Sequence, residues 1–134
     1  MRTTPTVVND NAEYQPAAMR SANTLTKTAS YTITRADLNA AGGHLVVKLT
    51  GTSATVLTLP TAAHGKGCRI TMHKPAGDTD AYSFQATGGA KINNGTADKK
   101  FENATNQIGS CTIWSDGTDW FVESTVGTWA NNNS

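Results

Sequence analysis

The sequence predicts an all-β fold: a single antiparallel β-sandwich or barrel-like domain of short strands, with one short helical turn and an extended N-terminal arm. Three observations lead there. Apolar and polar residues alternate in short runs, the period of a strand with one wet face. Turn residues, glycine above all, punctuate those runs at about ten-residue spacing. Thr, Asn, Gly and Ala stand where a helical protein carries Glu, Lys and Leu, and β-branched Thr suits strands.

Taken in order, Tyr31 and Ile33 alternate against Thr32 and Thr34 as a half-buried strand. Thr34-Arg35-Ala36-Asp37 reads as a capping box in which Thr34 caps and the Asp37 carboxylate reaches back. It opens one helical turn through Leu38, ended by Gly42-Gly43. Leu45, Val47 and Leu49 mark the next strand, and Gly51-Thr52-Ser53 turns the chain into Thr55-Val56-Leu57-Thr58-Leu59. Pro60 ends that strand because it cannot donate to a ladder. Cys68, Ile70 and Met72 alternate with Arg69, Thr71 and His73 up to a turn at Pro75-Ala76-Gly77-Asp78. Tyr82, Phe84 and Ala86 form another face, followed by Gly88-Gly89 and Lys91-Ile92-Asn93. Asn94-Gly95 is then a hairpin signal, since both central residues of a type I′ turn need positive φ. Cys111 and Ile113 alternate with Thr112 and Trp114, and Ser115-Asp116-Gly117-Thr118-Asp119 leads into Trp120-Phe121-Val122-Glu123.

Residues 1–28 show neither helical nor strand periodicity and contain Pro5 and Pro16, so they read as an arm; residues 29–128 form the β domain and 129–134 a C-terminal tail. At 134 residues the chain has the size of one domain, enough to bury roughly 65% of its unfolded surface. A net charge of +1, with 16% charged residues, gives no electrostatic footprint for nucleic acid or a membrane surface. No apolar run has the length of a signal-peptide core or a membrane span, so synthesis in a cytoplasm is expected. Cys68 and Cys111 lack C-x-x-C spacing and read as small buried hydrophobes.

Asp116 and Asp119 raise the question of paired-carboxylate chemistry, which needs one buried and one solvated acid facing a cleft. Asp116-Gly117 is instead what a tight turn requires: Asp bonds its own backbone and Gly supplies positive φ. His44, His64 and His73 are scattered, and Asp78 with Asp80 lacks the remaining oxygens of a calcium loop. Gly65-Lys66-Gly67 leads into a strand, not into the helix of a phosphate loop. The expectation is a protein that is not an enzyme and uses no metal or cofactor. Among the aromatics, Trp120 and Val122 share one strand face and Phe121 takes the other. With Trp114 these are packing or subunit-contact residues, one of them core and another open to a neighbour or a ligand.

Four stretches in order, SYTITRADLNAAGG, TVLTLPTAAHGKGCRITMHKPAG, FQATGGAKINNG and SCTIWSDGTDWFV, resemble a β-module that recurs in structural proteins of tailed bacteriophages. The likeness lies in Leu59-Pro60 at a strand end, Gly65 to Gly67 before a strand, Gly88, Gly89 and Ile92 to Gly95 at turns, and the Ser115 to Trp120 hairpin. It runs from Ser30 to Val122. The resemblance implies a structural or receptor-binding role, commonly as a homotrimer, and brings no catalytic residues. A chain that begins at Met1 with room for one β domain and an arm suits a head decoration or cement protein better than a fibre with a shaft. The expected partner is the major capsid protein, and the expected place is the capsid surface of a virion assembled in a host cytoplasm. The arm, with Thr3, Thr4, Pro5, Thr6, Val7, Val8, Tyr14 and Pro16, would add main-chain hydrogen bonds to neighbouring sheet edges. A short tail-fibre or adhesin component is the alternative, and a carbohydrate-binding module the third.

Overall fold

The computed structural model describes residues 23–74, 80–105 and 107–132. The arm residues from Thr3 to Pro16 and the turn at Pro75-Ala76-Gly77-Asp78 lie outside the described residues. The described chain forms strands β1 (Thr24–Lys27), β2 (Tyr31–Thr32), β3 (His44–Leu49), β4 (Thr55–Thr58), β5 (Arg69–Lys74), β6 (Tyr82–Gln85), β7 (Lys100–Asn103), β8 (Gly109–Ser115), β9 (Trp120–Val126) and β10 (Trp129–Asn132), with one helix, α1 (Arg35–Ala40). The strands make two five-stranded sheets, sheet I in the order β1-β3-β5-β8-β9 and sheet II in the order β10-β7-β6-β4-β2. The all-β sandwich expected from the alternation is present.

Its strand pairing differs from the expected antiparallel one. From β1 to β6 every strand passes the chain to the opposite sheet, so odd-numbered strands stack in sheet I and even-numbered ones in sheet II. The pairs β1–β3, β3–β5, β2–β4 and β4–β6 are therefore parallel, as rungs of a winding chain. Only β6–β7, β7–β10, β5–β8 and β8–β9 are antiparallel. Period-two alternation specifies which face of a strand is buried but not its neighbour. Parallel neighbours need a crossover, and here each crossover carries a strand of the other sheet.

The domain also extends beyond its expected limits at both ends. β1, read as the end of the arm, pairs with β3 from Thr24↔Val46 to Lys27↔Leu49. β10, read as tail, pairs with β7 from Trp129↔Asn103 to Asn132↔Lys100. Trp129 brings β10 in: its ring stacks on Phe101 at 5.8 Å and on Phe84 at 6.3 Å. A lone Trp among Asn and Ala has no strand periodicity, so tertiary packing and not local pattern makes this strand.

Between the sheets, inward rows cross the strands in register. Leu45, Ile70 and Ile113 line up in sheet I, and Leu57, Phe84 and Phe101 in sheet II. Each is at most 4% exposed, and burying such a side chain contributes about 1.5–3 kcal/mol. Lys74 also points inward, fully buried, its Nζ donating to the Ala104 carbonyl at 3.0 Å and lying 5.4 Å from the Tyr82 ring centre.

The expected capping box closes α1 in both directions: the Asp37 N–H donates to Thr34 Oγ1 at 3.1 Å, and the Thr34 N–H to Asp37 Oδ2 at 2.9 Å. At the other end the Gly43 N–H donates to the Leu38 carbonyl and the Gly42 N–H to that of Asn39, a Schellman arrangement that Gly42 permits at φ 66°. Burial raises the Asp37 carboxyl, but the hydrogen bonds from Thr34 and the Tyr31 hydroxyl outweigh it and hold the group below the usual carboxylate range. Burial pushes the Cys111 thiol up to about 12; Cys68 is half-buried, and both cysteines are free.

Candidate functional site

The tip of the β8–β9 hairpin holds the two aspartates. Asp116 Oδ1 accepts the N–H groups of Thr118 at 2.8 Å and Asp119 at 2.9 Å, and the Asp116 N–H donates to the Asp119 carbonyl at 3.2 Å. Gly117 between them takes φ 99°, as a tight turn requires. The Asp119 carboxylate accepts the Lys91 N–H at 2.9 Å. Both acids are thus held by main-chain donors. The N–H bonds from Asp119 and Thr118 keep the Asp116 carboxyl below the usual range, so it stays charged in its turn.

The other motif residues dock on this hairpin. Ser115 Oγ donates to the Ala62 carbonyl at 2.6 Å and accepts the Gly117 N–H at 3.0 Å. The Gly67 N–H donates to the Ser115 carbonyl at 2.9 Å. Gly65 is where the chain passes the Trp120 ring: a Cβ there would sit 2.6 Å from Cη2. Trp120 is fully buried, as one aromatic of the stretch was expected to be, and the Trp120 carbonyl accepts the Asn93 N–H at 2.9 Å.

Asn94-Gly95 does not form the expected hairpin turn. The positive-φ residues are Asn93 (50°) and Asn94 (62°), and the Gly95 N–H closes the turn onto the Ile92 carbonyl at 2.9 Å. The turn lies one residue earlier because Asn tolerates the left-handed region. Gly95 serves a different need: a Cβ there would lie 2.6 Å from Asn131 Oδ1 of β10.

Trp114 and Phe121 face out of sheet I. They are register partners on β8 and β9, half-buried, with ring centres 5.2 Å apart and planes tilted by 33°. Arg69 pairs with Trp114, and His44 with Arg69, so one outward row runs His44, Arg69, Trp114, Phe121 across four strands. Beside it, Thr71 Oγ1 shares a hydrogen bond with Thr112 Oγ1 at 2.7 Å and another with His44 Nε2 at 3.0 Å. A β-bulge at Thr112/Ile113 leaves Glu123 without a register partner. Glu123 Oε1 accepts from Arg69 Nε at 2.7 Å, an ion pair that reaches from β9 to β5 over β8. Bulges re-aim side chains in this way.

Sequence reasoning found Trp114 and Phe121 but not Arg69, Glu123, His44, Thr71 or Thr112 as their neighbours. Alternation marks each as outward; the register that assembles them crosses strands far apart in sequence. His73 lies further along the same face, and His64 is in the turn before Gly65, so the three histidines do not converge. Among the described residues no group of three or more His, Cys, Asp and Glu is arranged to hold a metal ion. On sheet II an open groove of about 500 Å³ runs along β10, lined by Glu102, Asn103, Thr128 and Asn131 among others. Compared with known protein families and with curated proteins, the chain matches no family model and no curated sequence.

Proposed function

We propose that the chain is a structural protein of a tailed-bacteriophage virion: a head decoration protein that binds the outside of the capsid lattice as a homotrimer and stabilises it. The supporting observation is where the motif residues of that resemblance lie. Asp116, Gly117, Asp119 and Ser115 close the hairpin tip, Gly65 and Gly67 dock it, and Gly95 admits β10. The residues that carry the resemblance are engaged in backbone geometry, which suits a module that recurs for its shape and not for a reaction. On this reading the protein is not an enzyme, and its partner is the major capsid protein.

The capsid contact is assigned to the N-terminal segment. Because β1 begins at Thr24, removing residues 1–22 keeps every described strand. The test mixes full-length and shortened protein with expanded capsids of the encoding phage and measures cosedimentation. Saturable binding by the full chain, lost on shortening while the circular dichroism of the β domain is kept, is the expected result. Mass spectrometry of purified virions adds a second measure: copy number in proportion to the major capsid protein supports decoration, and a few copies per particle would favour the tail-fibre alternative. Absence from the particle refutes both.

A further inference from the structure

We infer that the outer face of sheet I carries a binding site for a neutral pyranose sugar, centred on Trp114 and Phe121. This inference does not depend on the capsid reading. It starts from a surface with two kinds of group side by side. The Trp114 and Phe121 rings, 5.2 Å apart, form an apolar platform that packing leaves partly uncovered. Flanking it, Arg69 and Glu123 are fixed against each other at 2.7 Å with their side chains 50% and 42% exposed. Arg69 engages Glu123 through Nε, which leaves its terminal N–H groups as donors, and Glu123 Oε2 remains an acceptor. The hydroxyls of Thr71 and Thr112, linked to each other and to His44, continue the polar row.

A pyranose presents the matching pair of surfaces, a C–H face and a rim of hydroxyls that both donate and accept. The C–H face covers the rings, and the rim meets Arg69, Glu123 and Thr112. At 4.8 Å between strands the row spans about 14 Å, room for a short oligosaccharide. The ligand is neutral because the ion pair offers a donor and an acceptor without net charge.

Other occupants fit less well. An extended peptide adds to a sheet through a free edge; in sheet I the edge beside the site is β9, whereas Arg69 and Trp114 lie on β5 and β8, each bonded on both sides. A protein partner needs roughly 800 Å² per side with an apolar centre. Two half-buried aromatics, each of about 150–250 Å² in full, fall well short, and the outward positions next to them, Thr71, Thr112 and Ser124, are polar, with the exposed Val126 set apart at the far end of β9. Single-stranded nucleic acid stacks on aromatics but follows a basic groove, and here the arginine beside the rings is neutralised by Glu123.

The test is a nitrogen–proton NMR titration of the full chain with cellotetraose, maltotetraose and chitotetraose in turn. The expected result, with at least one of them, is a saturable shift of the amides of Arg69, Thr112, Trp114, Phe121 and Glu123 and of the Trp114 indole. Half-saturation on the order of 1 mM is expected for so shallow a site, with the Trp120 and Trp129 indoles unmoved. Trp114→Ala should abolish the remaining shifts, and Arg69→Ala should weaken binding at least about fivefold. Dispersed Trp120 and Trp129 indole signals in Trp114→Ala certify its fold; were they lost, Arg69→Ala and Phe121→Ser carry the test. The inference is overturned if none of the three sugars at about 20 mM moves these resonances, if the Trp129 indole shifts as much as that of Trp114, or if oligothymidylate binds the row where the sugars do not.

Discussion

The tip and the outer face of the β8–β9 hairpin are separated by a residue or two and are built on opposite principles. At the tip, Ser115, Asp116 and Asp119 give their polar side-chain atoms to main-chain partners. On the outer face, Trp114, Glu123 and Thr112 bond or stack with side chains of their own sheet and leave surface toward solvent. The difference teaches that two carboxylates close in sequence can both be engaged in turn geometry. A binding surface can form beside it from residues that no local motif connects.

The contrast is sharpest where the tip meets the core. Trp120→Ala should cost about 3–5 kcal/mol, because the fully buried ring fills the space that Gly65 leaves. Urea unfolding measures this, and a loss below about 1 kcal/mol would place Trp120 outside the core. Gly65→Ala approaches the same ring from the other side. Its Cβ would lie 2.6 Å from Trp120 Cη2, an overpacking expected to cost about 1–3 kcal/mol.

At the tip itself the sign of the pH effect follows from Asp116. Its folded-state carboxyl is depressed by the N–H bonds of Asp119 and Thr118, so its contribution to stability is complete above the ordinary carboxylate range. That contribution is lost as pH falls through the depressed folded value. Asp116→Asn keeps an acceptor oxygen for the turn and should remove this part of the acid-induced loss. Stability curves of the two proteins should converge at low pH; parallel curves across the acid range would show that the carboxylate is not engaged as described.

How much of this was legible in the sequence depends on whether an element's partners are local. The Thr34–Asp37 capping box, the Gly42-Gly43 helix end and the Asp116-Gly117 turn are local contracts between backbone and neighbouring side chains, and they appear as read. Leu45, Val47, Ile70 and Ile113 alternate, and their faces appear as read. β1 and β10 were illegible because each is a strand only by virtue of β3 or of the Phe84 and Phe101 rings. Parallel winding was illegible because alternation is the same whichever neighbour a strand takes. The Arg69, Trp114, Phe121 and Glu123 cluster combines both problems, adding a bulge that no single residue announces.

The smallest stability effects belong to the outer face. Trp114→Ala loses the ring pair, about 0.5–1.5 kcal/mol beyond its area burial, and should cost less than Trp120→Ala, since the residue is half-buried and Phe121 keeps its place on β9. Arg69→Ala removes a solvent-exposed ion pair and should change stability by less than about 1 kcal/mol. Thermal unfolding checks both, and losses as large as that of Trp120→Ala would mean the outer row is a second core.

The measurement that bears most directly on the contrast compares Asp116→Ala and Trp114→Ala in the same two assays, urea unfolding and the tetrasaccharide titration. The account predicts a crossed result: Asp116→Ala unfolds at lower urea and, while folded, titrates like the unmodified chain, whereas Trp114→Ala, folded without urea, no longer responds to the sugar. If Asp116→Ala instead left stability untouched and abolished the response, the aspartate turn would be the binding site and the division between scaffold tip and outward face would be wrong.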